Sequence, residues 1–260
     1  MGKIIAVANQ KGGVGKTTTS VNLSSGLAYL GKKVLLVDFD PQGNATQGVS
    51  GENLSFKKSV YDLIIGDDSA KNCISTIQIP PIDIIPATID LAGADLEMAN
   101  YKVGREIQLK NKLEVVKSNY DFIIIDCPPS LGLLNTNALT AADAVIIPVQ
   151  CEYYALEGLT QLLSTIRLVQ RLFNDKLVIE GVLLTMFDSR TKLSVEVQQE
   201  VRKYFKESVY KSFIPRNVKL SEAPSTGQSI FEYDVKSEGA KAYASLAKEV
   251  INNNDGKLDK

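Results

Sequence analysis

The feature that most constrains the fold is a glycine-rich loop set between a strand pattern and a helix pattern. Residues 4–8 (Ile-Ile-Ala-Val-Ala) form a short apolar run of the kind found in buried strands. Lys11-Gly12-Gly13-Val14-Gly15-Lys16-Thr17-Thr18 follows, and residues 20–28 then carry apolar side chains at helical spacing. Strand, glycine loop and Gly-Lys-Thr opening a helix is the context of a phosphate-binding loop. The glycines let backbone N–H groups converge on phosphate oxygens, and the helix N-terminus adds unpaired donors and its positive dipole end. Lys16 supplies a mobile cation for the β- and γ-phosphates, and the Thr17 hydroxyl is placed to ligate Mg²⁺.

Two further strands end in carboxylates. Residues 33–37 lead into Asp38-Phe39-Asp40-Pro41, and residues 120–125 lead into Asp126-Cys127-Pro128-Pro129. Ligand groups sit at the C-terminal ends of parallel strands. Alternation along an extended backbone points Asp38 and Asp40 the same way. Asp38 is expected to face the Mg²⁺ and phosphate site, and Asp40 to reach the water that attacks the γ-phosphate. Asp126, closing a continuously apolar strand, suits the Walker B role of holding a water of the Mg²⁺ shell.

Strands are also expected near 82–86, 144–149, 178–185 and 208–214. Helices are expected at 59–64, 91–96, 106–118, 159–173, 188–206 and 237–252. In the segment 106–118, Ile107, Leu109, Leu113, Val115 and Val116 are expected to cover the sheet. Alternating strand and helix predicts an α/β fold with a mostly parallel twisted sheet and helices on both faces. No linker divides the chain, so residues 1–252 read as one domain, with residues 253–260 a frayed polar tail.

Composition excludes several chemistries. There is no histidine, and Cys73, Cys127 and Cys151 lack metal-ligand spacing. Zinc sites, disulfide frameworks and His-based triads are therefore not expected. No leader precedes the first strand and no run approaches a membrane span, so a reduced, cytoplasmic setting is expected. The net charge is −1, yet residues 160–220 hold eleven basic against six acidic side chains. A local basic surface is compatible with nucleic acid.

The loop departs from an ordinary Walker A motif. Gln10 or Lys11, depending on register, stands where its first glycine belongs, and Lys11 is an additional lysine. This pattern resembles the deviant Walker A of the ParA/MinD superfamily. Several stretches over nearly the whole chain are similar to the ParA/Soj chromosome- and plasmid-partition ATPases. They are residues 5–18, 38–44, 126–132, 148–158 (Pro-Val-Gln-Cys-Glu-Tyr-Tyr-Ala-Leu-Glu-Gly) and 214–225 (Ile-Pro-Arg-Asn-Val-Lys-Leu-Ser-Glu-Ala-Pro-Ser). The resemblance implies a slow Mg-dependent ATPase whose loop residues Lys11 to Thr18 hold ATP.

It further implies that Lys11 completes the partner subunit's site and that Gly12 must be small for two chains to close. Asp40 would position the attacking water, and Pro215 and Asn217 would contact the adenine. The implied partners are a second copy of the chain, nonspecific double-stranded DNA and a ParB-like protein, at the nucleoid and not at a membrane. Arg190 is the first choice for a DNA contact, followed by Arg167, Arg171, Lys192 and Arg216. The competing readings are a MinD-like membrane ATPase and a metabolic ligase on the same fold. A cluster-bridging reductase matches less well, because it needs paired cysteines.

Overall fold

A computed structural model describes residues 2–50, 55–66, 68–78, 81–101, 103–152 and 157–255. The chain runs β1 (Lys3–Val7), α1 (Lys16–Tyr29), β2 (Val34–Asp38), α2 (Asn44–Ser50), α3 (Val60–Ile64), α4 (Ala70–Cys73), β3 (Ser75–Gln78), β4 (Pro81–Ile85), α5 (Leu91–Ala99) and α6 (Gln108–Glu114). It continues through β5 (Phe122–Asp126), α7 (Leu133–Ala141), β6 (Ala144–Gln150), α8 (Glu157–Leu172), β7 (Val178–Phe187), α9 (Lys192–Phe205), β8 (Val209–Pro215), α10 (Val218–Glu222), α11 (Ile230–Tyr233) and α12 (Glu238–Asp255).

The strands form one eight-stranded sheet in the order β3-β4-β2-β5-β1-β6-β7-β8. Every neighbouring pair is parallel except β3 with β4. The α/β expectation holds, and the parallel strands carry their carboxylates to a common end. Pairing of β2 with β5 puts Asp38 directly beside Asp126. The glycine loop leaves β1 where the strand order turns back, between β5 and β6, the place where such sheets open a crevice.

Period-two alternation divides the strand side chains between two cores. Ile4, Ala6, Leu35, Val37, Ile123 and Ile125 face α3 to α9, while Ile5, Val7, Val34, Leu36, Phe122 and Ile124 face α1, α2 and α10 to α12. Each of these side chains is almost wholly buried, and each of the larger ones, Ala6 apart, contributes about 1.5–3 kcal/mol by leaving water. The outer edge, β8, is covered by a side chain: Glu249 of α12 accepts from the backbone N–H groups of Lys211 and Ser212 at 2.8 and 3.0 Å.

Several details differ from expectation. Helices α2, α4, α7, α10 and α11 have no counterpart among the expected helices, and α7 buries Leu134, Ala138 and Leu139. Residues 75–78 form an antiparallel strand that their mixed composition does not announce. Helix α6 stops at Glu114, so Val115 turns outward (64% exposed) while Leu109, Leu113 and Val116 are buried. Helix α12 continues to Asp255, past the expected start of the tail. Asn254 is buried there and donates to Glu180 Oε1 at 2.7 Å, which pins the last turn to β7.

Candidate nucleotide site

The loop's shape follows from its glycines. Gly13 and Gly15 take φ of +74° and +86°, conformations that cost an L side chain energy. Gly15 caps α1 in this left-handed form, and Lys16 opens the helix. Asn9 fixes the entry to the loop: its Oδ1 accepts from the Lys11 N–H at 3.0 Å and its amide donates to the Pro148 carbonyl at 2.6 Å. Thr185, at the end of β7, holds the loop from the other side by donating to the Val14 carbonyl at 2.8 Å.

A cavity of about 510 Å³ lies over this loop, lined among others by Gly12, Gly13, Gly15, Lys16, Thr17, Thr18 and Asp40. A smaller one of about 210 Å³ shares Gly15, Thr18 and Met186 with it and is walled by Pro215, Arg216 and Asn217. The residues expected at the phosphates and at the base therefore line two neighbouring cavities with a shared wall. Val14 turns its side chain into the core and can offer only its backbone. Met186, a non-glycine residue at φ +50°, lines both cavities; nothing in its neighbourhood in the sequence signals that role.

The two lysines behave differently. Lys16 is buried in the cavity wall and donates to the Lys11 carbonyl at 3.2 Å. Burial lowers its pKa, against the opposing charges of Asp126, Cys127 and Asp40. The Lys11 side chain lies outside the cavity, partly exposed, 3.5 Å from Glu152. Glu152 also lies 4.0 Å from Arg216.

The three aspartates separate by environment. Asp40 lines the cavity, and its Oδ1 accepts from the Gln42 N–H at 3.0 Å. Asp38, like Asp126, is not among the residues that line the cavity. It is fully buried and occupied: Oδ2 accepts from the Thr46 N–H and hydroxyl, both at 2.7 Å, and Oδ1 accepts from the Asp40 N–H at 3.2 Å. The chain turns sharply after β2, which returns α2 onto the strand end. Burial raises the Asp38 pKa, with the Thr46 bonds opposing. Burial, reinforced by the Asp38 charge, also raises that of Asp126, with the Ser20 and Thr17 hydroxyls opposing.

Asp126 Oδ1 accepts from Ser20 Oγ at 2.8 Å, and its buried Oδ2 completes no hydrogen bond, although the Thr17 hydroxyl is near enough to lower the carboxyl's pKa. An orphaned carboxylate oxygen next to the Thr17 side chain suits a hard, oxygen-ligated cation such as Mg²⁺. Among the described residues no group of three or more His, Cys, Asp or Glu could hold a metal unaided.

The basic residues fall into three places. Arg190 and Lys192 line one shallow groove at the start of α9, Arg216 borders the crevice, and Arg167 and Arg171 are exposed on α8. Arg190 forms a two-point pair with Asp188, at 2.9 and 2.8 Å. Lys192 lies 3.5 Å from Glu196. Residues 153–156 of the motif 148–158 lie outside the described residues. Helix α12 buries its apolar face, through Ala240, Tyr243, Leu246, Ala247 and Val250, so it does not present the free amphipathic surface a MinD-like anchor requires. Among the described residues no helix is long and apolar enough to cross a membrane.

Loop, parallel sheet and paired strand-end aspartates define a P-loop protein of the deviant Walker A class. A family model described as an AAA domain matches residues 2–179. The chain is 61% identical over 253 residues to the sporulation initiation inhibitor protein Soj of Bacillus subtilis strain 168, covering 97% of this chain and all of the relative. It is 49% identical over 251 residues to the chromosome partitioning protein ParA of Myxococcus xanthus, covering 96% and 88%. A solved structure of cobyrinic acid a,c-diamide synthase from Mycobacterium smegmatis, with bound ADP and magnesium, superposes with a TM-score of 0.86 at 38% identity, covering 99% and 97%. The chain belongs to the ParA/Soj family of chromosome-partitioning ATPases.

Proposed function

We propose that this chain is a DNA-segregation ATPase that hydrolyses ATP to ADP and phosphate, dimerises on ATP and holds nonspecific DNA only as the dimer. The observation that carries this reading is the division of labour between the lysines: Lys16 lies inside the cavity, whereas Lys11 projects outside it. A cation with no place at its own phosphates serves a neighbour's. Gly12 supports the same reading, because among the described residues nothing lies within 4 Å of where its Cβ would stand. The need for a small residue there comes from a second molecule.

In this scheme Lys16 and the loop N–H groups bind the triphosphate, while Pro215 and Asn217 bound the base. Thr17, with Asp126 through water, holds Mg²⁺, which when bound withdraws charge from the phosphate oxygens. Asp40 orients the attacking water. Asp38 anchors the turn that carries Asp40, and its remaining acceptor site would serve the Mg²⁺ shell through water. Hydrolysis is slow because a carboxylate is a weak base and the site has no apparent arginine finger. Two copies of the basic surface around Arg190 double the phosphate contacts, so DNA binding gains avidity from ATP. A ParB-like partner stimulates hydrolysis and thereby release at the nucleoid.

DNA binding titrated against salt, with ATP and with ADP, tests this function. Salt-sensitive binding with ATP and weak binding with ADP is expected; equal binding in both states removes the switch. Gel filtration of Asp40→Ala should give a long-lived dimer with ATP and a monomer with ADP.

A further inference from the structure

We infer that Ser20 is a positioning residue for the metal site: its hydroxyl fixes the Asp126 carboxylate so that one oxygen is left for the cation's shell. The inference rests on the nucleotide-binding reading above.

Ser20 sits on the inner face of α1, one turn beyond Lys16, and is fully buried. Its Oγ lies 2.8 Å from Asp126 Oδ1 and 3.1 Å from the Lys16 carbonyl. A hydroxyl has one hydrogen. The carboxylate is the nearer acceptor and the charged one, and the Lys16 carbonyl already belongs to the helical hydrogen-bond ladder. The hydrogen is therefore committed to Asp126.

The consequence is a carboxylate with unequal oxygens. Oδ1 is tied to α1, whereas Oδ2 is buried without a donor. Asp38, its neighbour across the β2–β5 pair, differs: both of its oxygens accept from the turn at residues 40–46. Of the two strand-end aspartates, only Asp126 has an oxygen that accepts from no donor. Ser20 and Thr17 stand on the same helix, so the donor that orients Asp126 and the hydroxyl that ligates the cation move as one body. Outer-shell donors of this kind typically change metal affinity about 10- to 100-fold.

The test measures metal affinity directly, using Mn²⁺ as the probe. Free Mn²⁺ is followed by its paramagnetic resonance signal during titration of the full chain saturated with ADP. Nucleotide affinity is measured separately in EDTA. Ser20→Ala should weaken Mn²⁺ binding about 10- to 100-fold and leave metal-free ADP affinity within about 2-fold. Ser20→Thr keeps the hydroxyl and should restore binding. Ser20→Cys, close in volume with only a weak donor, serves as the second variant should alanine disturb the buried helix face, and should weaken binding as alanine does. In an Asp126→Asn background, Ser20→Ala should add no further loss.

Unchanged Mn²⁺ affinity in Ser20→Ala or Ser20→Cys overturns the inference. So does an equal loss of metal-free ADP affinity, or full additivity with Asp126→Asn. A wild-type chain that binds neither ADP nor Mn·ADP would overturn the nucleotide reading itself, which separates the two failures.

Discussion

Replacing Gly12 separates the requirements of the chain from those of its dimer. A Cβ at Gly12 meets no atom within 4 Å, and Gly12 is not among the glycines with positive φ. Within one chain Gly12→Val should therefore change stability by no more than about 0.5–1 kcal/mol. Gly13→Ala is the internal control: it also meets no atom, but at φ +74° it strains the backbone by about 1–2 kcal/mol. That cost should lower the melting temperature by roughly 2–8 °C in a chain of this size. In a face-to-face dimer each introduced valine side chain overpacks the partner. At about 1–3 kcal/mol for each of two copies, the dimer should weaken roughly 30-fold to 10⁴-fold. The assay is sedimentation equilibrium with ATP and Mg²⁺ in the Asp40→Ala background, beside thermal melting and fluorescent-nucleotide titration of the monomer. A Gly12→Val protein that dimerises like its parent, or that loses nucleotide affinity as a monomer, would refute the reasoning.

Three further outcomes are expected. Burial raises the folded-state pKa of Asp126 above its ordinary value of 3.8, so the proton-bound form favours folding and that contribution is lost as pH rises from about 4 toward neutrality. Without nucleotide, Asp126→Asn should therefore gain in melting temperature relative to the parent as pH increases from about 4 to about 8; a pH-independent difference would contradict this. Thr46→Val removes the hydroxyl that donates to Asp38 and accepts from the Ala87 N–H, and should cost about 2–5 kcal/mol in urea unfolding; a loss below about 1 kcal/mol would show the network to be dispensable. Arg190→Ala should weaken ATP-dependent DNA binding to all sequences alike and reduce the salt slope by about 0.9 for each phosphate it no longer neutralises; an altered sequence preference would point to base readout instead.

Most of the fold was legible because the parallel strands are buried on both sides, so their apolar runs stand out. The loop was legible because its chemistry is local: glycine conformations, a lysine and a hydroxyl lie within one short stretch. What escaped depends on pairs far apart in sequence. The role of Asp38 turns on Thr46, which no periodicity links to it, and that of Ser20 turns on Asp126, 106 residues away. Glu152 is brought beside Lys11 and Arg216, both far from it in sequence. The strand at 75–78 was hidden because an antiparallel edge needs no continuous apolar run. The last turn of α12 was hidden because a run of asparagines reads as solvent-facing until Glu180 supplies a partner.

Thr185 fastens the end of β7 to the nucleotide loop, and the same run of chain passes through Met186 and Phe187 into Asp188 and the capping residue of α9. Strand, tether and basic helix are thus one stiff arm with its inner end hooked on the Val14 carbonyl. The nucleotide loop and the strand that leads to Arg190 thus share a hydrogen bond, from the Thr185 hydroxyl to the Val14 carbonyl.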